Sequence, residues 1–386
     1  MNTHTTIRSA AALAAALLLL LQGAPAAAQD TLAQAPAAAG PRLAVISAGA
    51  AHTCGLTSDG AAYCWGRNEY GQVGDSTKVD RATPVAVAGG REFREISAGE
   101  SHTCAISVDN EAFCWGHNES GSIGTGPQQR AYPVRVIGNM RVATISAGAA
   151  FTCSVDVRGV GFCWGQNNKD GRLGVGGDGN AYSPQSPFGV RTYRVIVAGT
   201  RHTCGITVGN KVLCWGANER GQLGIASRTA SAVPFPIRFF DSKSGFSAVA
   251  IGADHTCALD LSGAAFCWGD NTAGQLGIGA KKKMSVVPVL VAGGLTFTSL
   301  VAAGQTTCGT TQAAAGEVYC WGSNAEGQFG GGPPEGSATP VRAAEAAAPV
   351  SISLGAGRAC GLARDGTPSC WGRGTSGQSG SGPAER

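Results

Sequence analysis

The sequence predicts an all-β fold, a seven-bladed β-propeller with four antiparallel strands and one disulfide in each blade. Two observations predict it. A Cys-Trp-Gly word recurs seven times, 49 to 53 residues apart, and uses every tryptophan of the chain. All fourteen cysteines fall into the same seven units, two in each. A fixed period of this length is typical of propellers and solenoids, in which each repeat buries one face against the next.

The first 28 residues have the features of an export signal. Arg8 precedes an apolar run from Ala10 to Leu21, and Ala26–Ala28 fits a small-residue cleavage site. That run is too short to span a bilayer, and no cysteine nearby could carry a lipid anchor. We therefore expect an exported chain, periplasmic or extracellular, with no membrane span. In such a compartment paired cysteines oxidise to disulfides.

The remaining chain divides into a short linker and the repeats. Residues 29–42, rich in alanine and proline, are interpreted as a linker, and residues 43–386 as the propeller. Only "SGPAER" follows the seventh unit, so its blade needs a fourth strand, which we expect part of residues 30–40 to supply. The first six units are each followed by an apolar strand containing proline, around Pro84, Pro133, Pro187, Pro236, Pro288 and Pro340.

The first unit shows how the strands of one blade follow each other. "RLAVISAG", "HTCGLT", "AAYCWG" and "TPVAV" predict four short strands, with a glycine-rich loop between the third and the fourth. Small residues recur at the end of the first strand, as in "ISAG". This strand is therefore predicted to be innermost, where the blades crowd around the central axis.

The spacing of the cysteines predicts a disulfide across a β-hairpin. With Ser58-Asp59-Gly60 as the loop, Cys54 lies directly opposite Cys64 at a non-hydrogen-bonded position, where Cα atoms approach to about 4.5 Å. The third loop position needs a left-handed backbone, and all seven units have Gly or Asn there. In the sixth unit the loop and the cysteine spacing both grow by two residues. The predicted pairs are Cys54–Cys64, Cys104–Cys114, Cys153–Cys163, Cys204–Cys214, Cys257–Cys267, Cys308–Cys320 and Cys360–Cys370.

Metal and redox chemistry are the competing interpretations of these cysteines. Structural zinc sites and redox dithiols need closely spaced pairs such as Cys-x2-Cys, and the sequence has none. The repeated histidines, once per blade, are held apart by the symmetry, so we predict hydrogen-bonded structural residues. The tryptophans are predicted to pack between blades. We expect no metal and no cofactor. The histidines concerned are His52, His102, His202 and His255.

The Trp-Gly word begins a longer motif that resembles the repeat of the regulator of chromosome condensation family. The matches are "WGRNEYGQVG" (65–74), "WGHNESGSIG" (115–124), "WGQNNKDGRLG" (164–174), "WGANERGQLG" (215–224), "WGDNTAGQLG" (268–277) and "WGSNAEGQFG" (321–330). The seventh copy, "WGRGTSGQSG" (371–380), departs at Gly374 and Ser379. The resemblance covers essentially the whole mature chain and implies a seven-bladed β-propeller.

The resemblance implies less about function. The founding member is a nuclear guanine nucleotide exchange factor that docks on chromatin and acts through a protrusion from one blade. Units 49 to 53 residues apart leave no room for such a protrusion, and an exported chain would not meet a nuclear GTPase, so we do not expect nucleotide exchange. Secreted propellers similar to this one include protein inhibitors of β-lactamases, which bind through one flat end.

Composition and motifs favour binding over catalysis. A net charge of +4 with 14% charged residues gives no basic stripe for nucleic acid. Neither a G-x-S-x-G elbow nor an H-E-x-x-H helix occurs. We expect a monomeric, non-enzymatic scaffold that binds or inhibits a protein partner in the envelope or outside the cell. The alternatives are an enzyme acting on envelope polysaccharide and a carbohydrate-binding module.

The order of the strands predicts which end of the propeller binds. The turn after the innermost strand and the loop after Trp-Gly emerge at one end, and the disulfide-bearing hairpin turn at the other. Residues at the first end differ between units, and their mixed charges suit a protein partner. The candidate binding face consists of Arg67, Glu100, His117, Gln166, Arg201, Asp254, Asp270, Gln305, Arg358 and Arg373.

Overall fold

The computed structural model describes residues 40–189, 191–239, 245–279, 282–312, 317–343, 349–374, 377 and 380. Within these ranges every regular element is a β-strand, and the strands form seven antiparallel sheets. No helix there is long and apolar enough to cross a membrane. The seven-bladed propeller is confirmed, while the predicted export signal lies outside the described residues.

The strands follow the chain order from the first to the last blade. Blades one to four contain β1 (Val45–Ala48), β2 (His52–Leu56), β3 (Ala62–Gly66), β4 (Arg81–Ala86), β5 (Phe93–Ala98), β6 (His102–Ser107), β7 (Ala112–Gly116), β8 (Arg130–Arg135), β9 (Val142–Ala147), β10 (Phe151–Asp156), β11 (Gly161–Gly165), β12 (Ala181–Gln185), β13 (Tyr193–Ala198), β14 (His202–Thr207), β15 (Val212–Gly216) and β16 (Ser231–Pro236). Blades five to seven contain β17 (Phe246–Ile251), β18 (His255–Asp260), β19 (Ala265–Asp270), β20 (Met284–Leu290), β21 (Phe297–Ala303), β22 (Thr306–Thr311), β23 (Val318–Gly322), β24 (Ser337–Arg342), β25 (Ser351–Gly355), β26 (Arg358–Leu362) and β27 (Pro368–Gly372).

The first strand of each blade is innermost, as its small residues predicted. The turns that follow these strands surround a central cavity of about 360 Å³, lined mostly by alanine and glycine. Backbone hydrogen bonds join one turn to the next, from Ala50 N to the Gly99 carbonyl and from Glu100 N to the Gly148 carbonyl, both at 3.1 Å. Larger side chains would separate these backbones, so the small residues are a requirement of the close approach.

Each blade carries the predicted disulfide between its second and third strands. Cys54 pairs with Cys64 in the strand register, and the Cα atoms of all seven pairs lie 4.0 to 4.1 Å apart. The third loop residue is left-handed, with φ of 88° at Gly60 and 65° at Asn110. No cysteine is free. The hairpin geometry deduced from the sequence, and with it the pairing, is confirmed.

Neighbouring blades are joined by buried hydrogen bonds to a carbonyl of the loop after Trp-Gly, and at two seams, those of Gln72 and Gln222, two donors share that carbonyl. The Gln72 carbonyl, in the loop after Trp-Gly of blade one, accepts from the Thr103 hydroxyl at 2.8 Å and from the Trp115 indole at 2.9 Å. His52 Nε2 lies 2.8 Å from the same hydroxyl. This set ties a loop of one blade to two strands of the next. The equivalent threonines at later seams are Thr152, Thr203, Thr256 and Thr307.

Four seams contain a buried neutral histidine. The Thr103 hydroxyl donates its single proton to Gln72, so His52 must donate from Nε2. Its Nδ1 then carries a lone pair and has no hydrogen-bond partner within the described residues. Because a proton on Nδ1 would be buried without an acceptor, desolvation lowers the pKa of His52 from 6.5 to about 3. The same contact, at 2.7 or 2.8 Å, is made by His102, His202 and His255.

Arg358 occupies the histidine position of blade seven and lies in the seam that closes the ring. Its guanidinium donates to the Gly49 carbonyl at 2.9 Å and also to the His52 carbonyl. The side chain is only 1% exposed, and burial lowers its pKa to about 10, so it stays charged at neutral pH. Its assignment to the binding face was wrong. Arg358 pairs with Gly372 in the strand register, as His52 pairs with Gly66 in blade one, and this position directs the side chain into the seam.

The backbone contact that joins other blades also closes the ring. Phe93 N donates to the Gly60 carbonyl of the preceding hairpin at 2.8 Å, and Leu43 N donates to the Gly366 carbonyl of blade seven at the same distance. Within the described residues, no fourth strand pairs with β27, and β27 is more exposed than the other third strands. The segment expected to cover it, apart from Gly40, lies outside the described residues, so this closure stays a prediction.

The outer strands carry proline at a regular position, with one correction. Pro84 and Pro133 lie in β4 and β8 as predicted. In blade three the strand ends at Gln185, so Pro187 follows it and Pro184 takes the equivalent position. Proline lacks a backbone donor and discourages a further strand from pairing at an exposed edge.

The buried histidines predict that stability falls in mild acid. Above about pH 6.5, His102 is unprotonated in both the folded and the unfolded chain. Below that pH the histidine of the unfolded chain binds a proton, whereas in the folded chain its pKa is about 3 and it stays neutral. Replacing His102 with Phe, the residue found at Phe151, should reduce the pH slope between pH 6 and 4 by about 1.4 kcal/mol per unit. Urea unfolding over a pH series measures the slope.

A matched control for this experiment is Thr103→Val. That variant removes a seam hydroxyl without removing a titrating group, so it should lower stability at every pH and keep the wild-type slope. An unchanged slope in His102→Phe would show that the seam histidines do not couple protonation to folding.

The proposed ring closure predicts that residues 30–40 contribute to stability. Replacing them by a glycine-serine segment of equal length should lower the midpoint of thermal unfolding by about 5 °C or more, because an outer strand would be lost. Circular dichroism measures the midpoint. The closure is wrong if the replaced and wild-type proteins unfold together.

Candidate functional site

The two ends of the propeller present different structures. We call the end that carries the turns after the first strands and the loops after Trp-Gly the loop face, and the end that carries the second-to-third-strand turns the hairpin face. Turn and loop meet through backbone bonds, from Arg67 N to the Ala51 carbonyl at 2.8 Å and from His117 N to the Ser101 carbonyl at 2.9 Å. The predicted grouping of these segments is therefore correct.

A buried asparagine bonds to the backbone of the long loop after Trp-Gly in each of the first six blades. Asn68 is fully buried; its Oδ1 accepts from Val73 N at 2.9 Å and its Nδ2 donates to the Val79 carbonyl at 3.0 Å. In the sequence this asparagine stands out only as one letter of the motif after Trp-Gly. Blade seven has Gly374 instead. Equivalent Oδ1 contacts are made by Asn118, Asn167, Asn218, Asn271 and Asn324.

The residue just before each asparagine differs from blade to blade. Arg67 is exposed, Gln166 is half-buried and Ala217 is buried. Because the asparagine fixes the backbone on which they stand, these side chains leave a rigid framework at defined positions. The loop face is thus a constant platform that displays variable groups.

Arg201 forms ion pairs with carboxylates of three blades on the loop face. Its guanidinium lies 2.8 Å from Glu219 in its own blade, 3.5 Å from Asp170 in blade three and 3.9 Å from Asp254 in blade five. Partial burial raises the pKa of Asp254, and the nearby carboxylates of Asp270 and Glu219 act in the same direction while Arg201 opposes them. We call these four residues, Arg201, Glu219, Asp170 and Asp254, the Arg201 cluster. It brings charges of both signs from three blades together on the loop face.

Other predicted residues lie on the same face but in smaller groups. Arg67 pairs with Glu69, and Arg373 pairs with Glu326 of blade six. His117 lies edge-on to Tyr70, with ring centroids 4.6 Å apart. The charges of Arg67 and Arg373 are therefore partly neutralised by neighbouring acids. Glu100 and Gln305 are exposed on the same face.

Asp270 was assigned to the binding face, and the structure corrects this. It occupies the position of Arg67, but its short side chain is only 5% exposed. Oδ2 accepts from Gln275 at 2.7 Å and from Thr272 at 2.6 Å. Asp270 therefore supports its own loop and offers little surface to a partner.

The described residues contain no group of histidine, cysteine, aspartate or glutamate side chains that could hold a metal ion. The carboxylates of the Arg201 cluster surround a guanidinium. Their arrangement suits recognition of charge on a second surface.

Family models match most of the chain. The RCC1-like domain model matches residues 23–308, and the regulator of chromosome condensation (RCC1) repeat model matches residues 315–361.

Individual relatives are more distant. The chain is 30% identical to the human probable E3 ubiquitin-protein ligase HERC6 over 177 residues, 44% of this chain and 17% of that one. It is 31% identical to the ultraviolet-B receptor UVR8 of Arabidopsis thaliana over 178 residues, 45% of this chain and 40% of the receptor. The matches thus span less than half the length of either relative.

A solved structure shows the same fold. Prp20p from Saccharomyces cerevisiae, studied for its binding to Gsp1p and histones, superposes with a TM-score of 0.72 at 21% identity over 80% of each chain. Seven repeated blades and a domain model that matches more than half of the residues agree: the chain belongs to the RCC1-like domain family.

Proposed function

We propose that this chain is an exported propeller that binds a protein partner through its loop face, as an interaction or inhibitory scaffold. The observation that carries the proposal is the contrast within each loop. Asn68 and its equivalents are buried and repeat, whereas the residue before them varies: it is exposed at Arg67, half-buried in three blades, and buried at Ala217 and Asp270. A rigid framework that displays different groups is suited to recognition, because little conformational freedom is lost on binding.

The chemistry of the loop face favours a protein over a uniformly charged partner. The Arg201 cluster places one guanidinium among three carboxylates, and the ion pairs of Arg67 and Arg373 add both signs of charge near blade one. A surface with both signs of charge discriminates between proteins by complementarity. Protein binding by a structural relative, Prp20p with Gsp1p and histones, supports the same class of function.

Export is supported by the features of residues 1–28 and by the oxidised cysteines. Seven disulfides with no free cysteine suit an oxidising compartment, where such bonds persist. The partner is therefore sought in the envelope or outside the cell.

The double variant Arg67→Ala with Arg373→Ala tests the proposed face. Both side chains are about half exposed, so the double variant should fold like the wild type. A protein that is retained by the immobilised wild type should bind the double variant roughly 30-fold more weakly if either arginine is a hot spot. Envelope and secreted extracts supply the binding proteins, and titration of the retained protein measures the affinity.

Asp59→Ala with Asp109→Ala is the matched control, since both residues are exposed on the hairpin face. It should leave binding unchanged. If this control loses the partner while the arginine variant keeps it, recognition takes place at the opposite end and the proposal is wrong.

A further inference from the structure

The hairpin face has an uneven surface that the loop-face function does not use. The first residue of each hairpin turn is polar in blades one, six and seven but apolar in four successive blades. Those apolar residues are 54 to 64% exposed. The polar ones are Ser58, Gln312 and Arg364, and the apolar ones are Val108, Val157, Val208 and Leu261.

A repeated backbone bond holds these turn residues in equivalent positions. The amide of Val157 donates to the Arg141 carbonyl in the segment that enters blade three, at 2.9 Å, and Val208 donates in the same way to the Thr192 carbonyl at 3.1 Å. Leu261 makes the matching bond to Gly245 at 3.1 Å. With the backbone fixed in this way, the apolar side chains project from one end of the ring as a series.

Basic residues surround the apolar turns of blades three to five. Arg141, Arg191, Lys211 and Arg238 are exposed, and none of the four is in an ion pair within the described part of the chain. Arg158 is also exposed, beside the buried Asp156.

The acidic side chains of the same sector are buried. In the described residues of blades three to five, the hairpin face has two carboxylates, Asp156 and Asp260, and both are buried. Each accepts hydrogen bonds from its own turn, Asp156 from Val160 N at 2.8 Å and Asp260 from Ala264 N at 2.9 Å. The exposed charge of this sector is therefore positive.

One cavity shows that apolar and basic groups lie together. A cavity of about 590 Å³ beside the third hairpin is lined by Ile137, Met140, Val157 and Phe162, together with Arg141 and Arg158. Apolar atoms form the larger part of its lining, which also includes the buried Asp156, and its arginines are exposed. Exposed apolar groups within a cationic surface match an interface whose head groups are anionic and whose interior is hydrocarbon.

From these features we propose that the hairpin face of blades three to five docks on an anionic phospholipid surface. Val157, Val208 and Leu261 enter the head-group region, while the basic residues contact phosphates. This placement turns the loop face away from the membrane, where it is accessible to a protein partner. The proposal does not depend on the partner, because it concerns the opposite end of the ring.

Vesicle co-sedimentation with the disulfide-bonded protein tests the proposal. We expect binding to vesicles of equal parts phosphatidylcholine and phosphatidylglycerol, and little binding to pure phosphatidylcholine. Val157→Asp with Val208→Asp should weaken binding roughly tenfold or more, as should Arg191→Glu with Lys211→Glu. Thermal unfolding of each variant shows whether it is folded.

Ser58→Asp with Gln312→Asp is the matched control, because it places the same charge at the same turn position outside the proposed sector. It should bind vesicles like the wild type. The proposal is overturned if the wild type ignores anionic vesicles, if this control loses binding equally, or if the valine variants bind normally. Retention of an acidic protein without any vesicle binding would likewise overturn it.

Discussion

The hydrogen bond from a side chain of one blade to a loop carbonyl of the preceding blade is the interaction on which the other features depend. Gln72 O accepts from both Thr103 and Trp115, so a loop of blade one is completed by side chains of blade two. A loop of this kind has its buried partners only when the neighbouring blade is folded. Each blade thus stabilises the next around the ring, as expected of repeats that bury their faces against each other. Disulfides act within a blade and, in the chain-entropy account, contribute about 2 to 3 kcal/mol each for such short loops.

The seam also determines what the two ends of the ring can do. Its hydrogen bonds attach the loops of the loop face to the neighbouring blades. Asn68 and its equivalents add hydrogen bonds within the loops themselves. Variation is therefore confined to side chains such as Arg67 that touch neither set of bonds. On the hairpin face the first turn residues of blades two to six are each anchored by one backbone bond, which leaves their side chains unconstrained by the seam. Both ends are consequently surfaces on which sequence can change without altering the fold.

Much of the fold could be predicted from the sequence because its determinants are local. The loop Ser58-Asp59-Gly60 fixes the register that places Cys54 opposite Cys64. Arg358 was misplaced because its role depends on a carbonyl about 300 residues away in the chain, across the closing seam. The Arg201 cluster draws on three blades, and no local pattern shows that its charges meet. The apolar turns, in contrast, could have been found by aligning the residue two before each left-handed Gly or Asn.

Residue-resolved hydrogen exchange of the tryptophan indoles tests the seam most directly. Trp115, Trp268 and Trp371 donate to loop carbonyls at 2.9 Å, so their indole protons report the contact itself. If the seams hold the loops as described, these protons should exchange only through global unfolding, with the same free energy as the amides of the second strands. Fast exchange of the indoles beside protected strand amides would show that the loops open independently and would contradict the account.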